Sequence, residues 1–188
     1  MHLPLLYLGL SLLTATPREA QVSGTVTFRG KNVKDAVVYL ESERRGLPLK
    51  NVVIDQRGKR FLPHVTVVTP GTQIEFPNND SVFHNVYAAF EASTFDLGEY
   101  PRGAVKRKRF DKCGVVALLC NIHSDMGAYI VVVNSPHFAI TDSKGRFSVP
   151  GIEPGTYTLR GWHEAGGSYS QTVKIEGDSV LPVELRRK

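Results

Sequence analysis

Apolar and polar residues alternate along short stretches of this chain, and turn-forming residues separate the stretches. Residues 22–41, VSGTVTFRGKNVKDAVVYLE, hold two alternating runs around a Gly-Lys-Asn turn, which predicts a hairpin with one buried face. Strand-like runs resume at Phe61, with a turn expected at 69–71. After residue 20, no stretch has the apolar spacing of a long amphipathic helix. The pattern therefore predicts strands and turns throughout.

The C-terminal segment strengthens this prediction. From Phe138 onward the sequence indicates four short strands, with turns at 143–145, 153–155 and 166–167. Residues 42–60 are polar and charged and predict a loop with at most a short strand near Val52. Regular strand spacing of this kind is typical of an all-β sandwich.

The first residues are typical of a secretory signal. An apolar run from Leu3 to Leu13 precedes small and polar residues, so we expect a signal peptide over residues 1–20 and a periplasmic or otherwise exported protein. The run is too short to cross a bilayer, and we expect no membrane span in the mature chain. An apolar N-terminal strand is the alternative, since Arg18 occupies a position where a signal cleavage site after Ala20 normally has a small residue.

The charge of the chain is basic, with a formal net charge of +5. A basic protein favours acidic partner surfaces. Nucleic acid is a poorer interpretation, because the Lys and Arg residues are scattered and no binding motif accompanies them. The one dense run, residues 106–109 (KRKR), has two interpretations: a solvated strand edge that resists aggregation, or a docking patch.

Candidate chemistry is concentrated in the string CNIHSDM, which contains Cys120, His123 and Met126, and in FPNNDSVFHNV, which contains His84. Two imidazoles, one thiolate and a weak axial thioether form the ligand set of copper electron-transfer sites, because soft sulfur favours Cu(I) and imidazole accommodates both oxidation states. Cys120 can end a strand, a tight turn can carry the next two ligands, and His84 must come from another loop. The pattern predicts one type 1 copper ion in a nearly rigid cage.

Simpler roles stay open for some of these residues. Met126 could merely fill a gap in the core, and Cys120 could be an inert buried thiol. The second cysteine, Cys113, is separated from Cys120 by about 23 Å of extended chain. A disulfide needs alpha carbons within about 7 Å, so we expect no bridge between the two.

These motifs resemble the cupredoxins of the plastocyanin and amicyanin type. His84-Asn85 after an Asn-Asp turn and the Cys-x-x-His-x-x-Met loop carry the resemblance, which covers about residues 50–133. The resemblance implies that the Asn85 backbone N–H bonds the Cys120 sulfur and that His123 is the electron port. Residues 22–164 also resemble plastocyanin-like proteins described as methylamine utilisation proteins, through FDLGEY, CNIH and GTYTLRGWHE.

The outer segments VSGTVTFRGKNVKDAVVYLE and AITDSKGRFSVPGIEPGTYTLRGW resemble a carboxypeptidase regulatory-like β-sandwich. Together the resemblances imply an all-β chain in which a Greek-key cupredoxin β-sandwich is combined with a second, smaller regulatory-like β-sandwich. The expected domains are residues 50–133 for the copper module and 22–48 plus 134–188 for the split outer sandwich. The outer resemblance implies a structural or docking role.

The functional interpretation that follows is a binding protein for redox-active copper, which is not itself an enzyme and exchanges single electrons with redox partner proteins. Two alternatives stay open. The chain could be a copper carrier or storage module, which requires exchangeable metal, or a structural accessory sandwich without a redox role.

Overall fold

The computed structural model describes residues 18–41, 43–89 and 92–187, and these residues contain strands and no helix. Most of the predicted signal peptide, residues 1–17, lies outside the described residues. Its last residue, Ala20, is buried and begins the first strand.

The strands are, in chain order, β1 (Ala20–Phe28), β2 (Lys31–Asn32), β3 (Val37–Glu41), β4 (Val52–Val53), β5 (Asp55–Gln56), β6 (Phe61–Leu62), β7 (Val65–Val68), β8 (Thr72–Pro77), β9 (His84–Ala88), β10 (Phe95–Tyr100), β11 (Val105–Phe110), β12 (Gly114–Leu119), β13 (Gly127–Val132), β14 (Phe138–Ile140), β15 (Arg146–Ile152), β16 (Gly155–His163), β17 (Gly167–Ile175), β18 (Ser179–Val180) and β19 (Val183–Arg187).

The middle of the chain forms an inner sandwich of two main sheets. Five strands pair in the order β10-β9-β12-β13-β7, and three pair in the order β11-β8-β4. The chain crosses between these sheets several times, and β13 runs parallel to β7 while β8 runs parallel to β4. Side chains from both sheets, including Phe76, Val116 and Ile130, share one apolar core because alternate residues of each strand face inward.

Nine of the remaining strands form one sheet around a second core, and β5 and β6 pair with each other in a separate two-stranded sheet. The order of the nine-stranded sheet is β14-β3-β16-β17-β19-β1-β15, with the short β2 and β18 paired to β1. Leu40 on β3 and Val22 on β1 stand far apart in this order, yet they belong to the same buried cluster, so the sheet curls over itself. The predicted fold class, all-β with two sandwiches, is confirmed; the predicted domain boundaries stay predictions.

The predicted hairpin across residues 22–41 is wrong in its pairing. β1 turns at Arg29 and Gly30 into the two-residue β2, whereas β3 pairs with β14 and β16 instead of β1. Both runs have a buried face, and the sequence pattern cannot tell which strand lies beside which when partners come from the far end of the chain. The distant strands β15 and β19 occupy the positions beside β1.

A cluster of valines joins the two sandwiches. Val65, Val67, Val131 and Val133 of the inner sandwich are buried with Val37 of the outer sheet. Aromatic side chains flank the cluster, and the Tyr129 and Trp162 ring centroids lie 5.3 Å apart. A hydrogen-bond-distance contact of 2.9 Å between His64 Nε2 and Glu164 Oε2 also crosses this junction.

The basic run at 106–109 lies on β11, the edge strand of the three-stranded sheet. Arg107 and Arg109 form ion pairs with Glu75 and Asp111, both at 2.7 Å. Charged residues on an edge strand oppose edge-to-edge pairing with another chain.

No helix in the described part of the chain is long and apolar enough to cross a membrane.

Leu159→Ala tests the packing of the outer core. Leu159 is fully buried between β3 and β17, so we expect a loss of about 2–5 kcal/mol in the free energy of unfolding through lost burial and a cavity. Urea denaturation of the metal-free protein measures this change. The matched control is Leu47→Ala at a side chain that is 82% exposed, where a change within about 0.5 kcal/mol is expected. Equal effects of the two substitutions would contradict the core assignment.

Candidate metal centre

Three of the four predicted ligands meet at one end of the inner sandwich. The ligand atoms of His84, Cys120 and His123 all lie within 4.8 Å of one another. His84 begins β9, and Cys120 directly follows β12, the neighbouring strand. Adjacent strand ends therefore bring two ligands together that are far apart in sequence. His123 follows in the loop after Cys120, with its ring centroid 4.9 Å from that of His84.

His84 is held in one orientation by a carboxylate. Its side chain is fully buried, and Nε2 lies 3.0 Å from Asp80 Oδ2. The other ring nitrogen, Nδ1, is buried without a hydrogen-bond partner. A neutral imidazole that donates from Nε2 carries a free lone pair on Nδ1, which is the form that binds a metal. This arrangement matches the carboxylate–histidine–metal pattern of known metal sites.

Asp80 is itself fixed by backbone donors. Its Oδ2 accepts a hydrogen bond from Lys59 N–H at 2.7 Å, and its Oδ1 accepts one from Ser81 N–H at 2.8 Å. The Lys59 bond, followed by the contact with His84, lowers the pKa of Asp80 to about 2. The carboxylate is therefore ionised at neutral pH and can accept the imidazole proton. Sequence analysis missed Asp80, although its spacing of four residues from His84 was visible.

The loop that carries Asp80 is anchored by a buried amide. Asn78 Nδ2 donates to the carbonyl oxygens of Val82 and Tyr100 at 2.9 and 3.0 Å, and Oδ1 accepts from Asp80 N–H at 3.0 Å. Asn78 is fully buried. Polar groups without water around them depend on such bonds, so the loop between β8 and β9 has a defined shape.

The loop from Cys120 to Met126 is short and closed by a turn. Met126 N–H donates to the carbonyl oxygen of His123 at 3.0 Å, and Cys120 Sγ lies 3.9 Å from His123 Nδ1. Met126 is buried in the inner core and His123 is partly exposed. Desolvation, followed by electrostatic interactions with His84 and Lys59, lowers the pKa of His123 and favours its neutral, metal-binding form.

Asn85 links the two ligand segments through its side chain. Oδ1 accepts a hydrogen bond from Asn121 N–H at 3.4 Å, and Nδ2 donates to Asp96 Oδ1 at 2.6 Å. Asp96 also accepts from Gly98 N–H at 2.8 Å, at the irregularity in the pairing of β10 with β9. The FDLGEY string thus supplies the carboxylate that orients the Asn85 amide. The bond from Asn85 backbone N–H to Cys120 sulfur stays a prediction.

Tyr100 lies buried beneath the site and was also missed by sequence analysis. It stands opposite His84 in the β10–β9 pairing, and its hydroxyl donates to the carbonyl oxygen of Phe76 at 3.0 Å. Gln56 Nε2 donates to the same hydroxyl. Burial, with a smaller contribution from the interaction with Cys120, raises the pKa of Tyr100 to about 12 and keeps the phenol neutral. Tyr100 is the one buried residue of β10 and carries no metal-ligating group of the predicted kind, so nothing in the sequence indicated its position beside the site.

The donor set fits a copper ion better than a hard cation. A buried thiol and two imidazoles suit soft or borderline transition metals, whereas Mg²⁺ and Ca²⁺ require oxygen ligands. The orphan Nδ1 of His84 supports this fit, because a buried polar nitrogen without a partner is costly unless something binds it. Cys113, the other cysteine, is exposed, and both cysteines are free.

No family model and no curated protein matches the chain. Among solved structures, the chain is similar to a purple cupredoxin from Nitrosopumilus maritimus, with 20% identity, coverage of 44% of this chain and 100% of the other, and a TM-score of 0.41. It is also similar to a mutant amicyanin in its reduced Cu(I) form, with 16% identity, coverage of 51% and 98%, and a TM-score of 0.42.

A third similar structure is the Cu-containing nitrite reductase from Thermus scotoductus SA-01, with 23% identity and a TM-score of 0.43. The match covers 51% of this chain but only 25% of the reductase.

Asp80→Asn tests the orienting carboxylate. Loss of the ionised acceptor for His84 Nε2 is expected to weaken metal affinity about 10- to 100-fold, as for other partners of metal-binding histidines. Competition titration of Cu(II) against a chelator measures the affinity. The control is Asp142→Asn, because Asp142 also accepts several hydrogen bonds but lies in the outer sandwich. Unchanged affinity in Asp80→Asn would remove Asp80 from the site.

Proposed function

We propose that this chain is an exported type 1 copper protein that carries single electrons between redox partner proteins, without substrate turnover of its own. The observation that supports this most is the buried, unpartnered Nδ1 of His84, in a side chain that clusters with Cys120 and His123. Met126 is the proposed axial ligand, since it is buried at the end of the same short loop.

Copper bound here would supply the one-electron Cu(II)/Cu(I) couple. The residues of the chain keep the ligand geometry nearly constant during that change. Asp80 fixes the His84 ring, and Asn78 fixes the segment that carries Asp80. The Asn85 amide bonds the backbone directly after Cys120. A cage that moves little between oxidation states lowers the reorganisation needed for electron transfer.

His123 is the proposed electron port. His84 is fully buried, whereas His123 is partly exposed between the exposed residues Ile122 and Ser124. Phe83, next to His84, is 55% exposed, and Ile122 is 41% exposed. Apolar side chains at this end of the sandwich can exclude water when a partner binds, so that the His123 ring edge comes close to a donor or acceptor.

Cys120→Ser tests the thiolate ligand. Wild-type protein loaded with Cu(II) is expected to bind one copper per chain and to show intense visible absorption from thiolate-to-copper charge transfer. The Ser variant should lose this absorption, because a hydroxyl cannot supply the sulfur orbital. Cys113→Ser is the matched control and should keep the spectrum, since Cys113 is exposed and outside the ligand group. A coloured Cys120→Ser protein would overturn the ligand assignment.

Met126→Leu tests the axial position. Copper and colour should be retained, because the thioether is a weak ligand, while the reduction potential should shift measurably in voltammetry. Ile130→Leu changes another buried side chain of the same core with little change in volume and should leave the potential unaltered. Equal potentials for wild type and Met126→Leu would assign Met126 to core packing alone.

A further inference from the structure

A short hairpin near the metal centre presents three cationic side chains at its tip. β5 and β6 pair through Asp55 with Leu62 and Gln56 with Phe61, and residues 57–60 form the turn. The turn is closed by reciprocal backbone bonds between residues 57 and 60, and Gly58 and Lys59 have positive φ, as in a tight two-residue hairpin loop. The basic tip, defined as Arg57, Lys59 and Arg60, is exposed.

The basic tip is fastened to the segment that carries His84. Lys59 N–H donates to the same Asp80 oxygen that contacts His84 Nε2. Asn79 N–H donates to the carbonyl oxygen of Gln56 at 3.0 Å, and Asn79 Nδ2 donates to Asp55 Oδ1 at 2.8 Å. These bonds hold the tip beside the metal centre.

The charge of the tip is only partly compensated. Arg57 lies 3.4 Å from Asp55, and within the described part of the chain neither Lys59 nor Arg60 forms an ion pair. The run on β11 differs in two ways. First, two of its four cations are paired to carboxylates. Second, β11 starts near the site, where Val105 lies opposite Pro77, and runs away from the site to Phe110. The field at the port is therefore set more by the tip than by the longer run.

We propose that the basic tip, together with exposed Phe83 and Ile122, forms a docking surface for an acidic protein whose carboxylates flank an apolar patch. This inference rests on the proposed electron-carrier function and names the kind of partner that fits it. The apolar residues supply the desolvated centre of the interface, and the cations supply steering and register at its rim. An acidic partner would thereby be oriented with its redox group over His123.

A protein partner fits this surface better than a nucleic acid. Proteins that bind duplex DNA tightly place many cations along a track of phosphates, and about six to ten contacts are typical. The tip places three cations in a single four-residue turn beside apolar side chains. A compact positive spot next to an apolar patch matches a local carboxylate cluster on a folded protein.

A binding experiment on the metal-free protein tests the surface without any redox reaction. Decaglutamate peptide is titrated into labelled protein and followed by amide shifts in NMR spectra at about 10 mM ionic strength, where screening extends to about 30 Å. The tip variant is Arg57→Gln with Lys59→Gln and Arg60→Gln. The control, Lys106→Gln with Arg107→Gln and Lys108→Gln, removes the same net charge from β11.

The expected result is that shifts concentrate at residues 57–60 and around Ile122. The tip variant should weaken peptide binding about tenfold, and the β11 control should weaken it less than about twofold. Equal losses in the two variants, or shifts concentrated on β11, would overturn the proposal. Amide spectra of each variant report whether its fold is retained.

A second experiment uses copper-loaded, reduced protein and two oxidants of opposite charge. Hexacyanoferrate(III) takes one electron and becomes hexacyanoferrate(II), and tris(phenanthroline)cobalt(III) likewise becomes the cobalt(II) complex. In stopped-flow measurements the tip variant should react about five- to tenfold more slowly with the anion and faster with the cation, whereas the β11 control should change both rates less. Identical rate changes in the two variants would overturn the docking surface. Absence of any reversible copper reduction would overturn the electron-carrier function, while the peptide titration would still decide the surface.

Discussion

The contact between Asp80 and the buried ring of His84 is the constraint on which the candidate metal centre depends. A fully buried imidazole with one unpartnered nitrogen is unfavourable in the metal-free protein, by about 1–3 kcal/mol for a typical buried polar group. The ionised Asp80 carboxylate offsets part of this cost through a charge-assisted bond to the other nitrogen. The same bond selects the tautomer in which Nδ1 is free. A bound metal ion would satisfy the nitrogen that the fold leaves without a partner.

At this end of the sandwich, hydrogen bonds from side-chain amides fix the positions of loop segments, as backbone pairing fixes the strands within the sheets. The segment between β8 and β9 has few strand partners. The fully buried Asn78 side chain instead bonds the backbone of Asp80 and Val82 within this segment and the carbonyl oxygen of Tyr100 on β10. Asn85 does the same for the loop after Cys120, and Asp96 fixes the orientation of its amide. Each amide offers both donors and an acceptor, so one side chain can connect two strands. Ligands from separate loops thereby share one rigid frame.

The sequence was a good guide to local chemistry and a poor guide to distant pairing. Cys120, His123 and Met126 lie within seven residues of each other, so their spacing alone indicated a shared site. Strand and turn spacing indicated an all-β sandwich, and the combination of two sandwiches was implied by the resemblances to known families. The role of Lys59 was hidden because it acts 21 residues away, through a backbone N–H that every residue type except proline carries. The pairing of β3 was missed for a similar reason, since its neighbours β14 and β16 come from about 100 residues later in the chain. Both faces of β3 also contact apolar residues, so its pattern does not indicate which strands lie beside it.

The outer sandwich supports the strand that leaves the ligand loop. β13 begins at Gly127, directly after Met126, and its inward residues pack in the inner core. On its other face the Tyr129 ring packs against Trp162 of the outer sheet and against His64, which in turn contacts Glu164. Tyr129 N–H also donates to the carbonyl oxygen of His64 at 2.8 Å. The first residues of β13 are thus held on both faces. Movement of the loop from Cys120 to Met126 would therefore also require movement at the junction between the sandwiches.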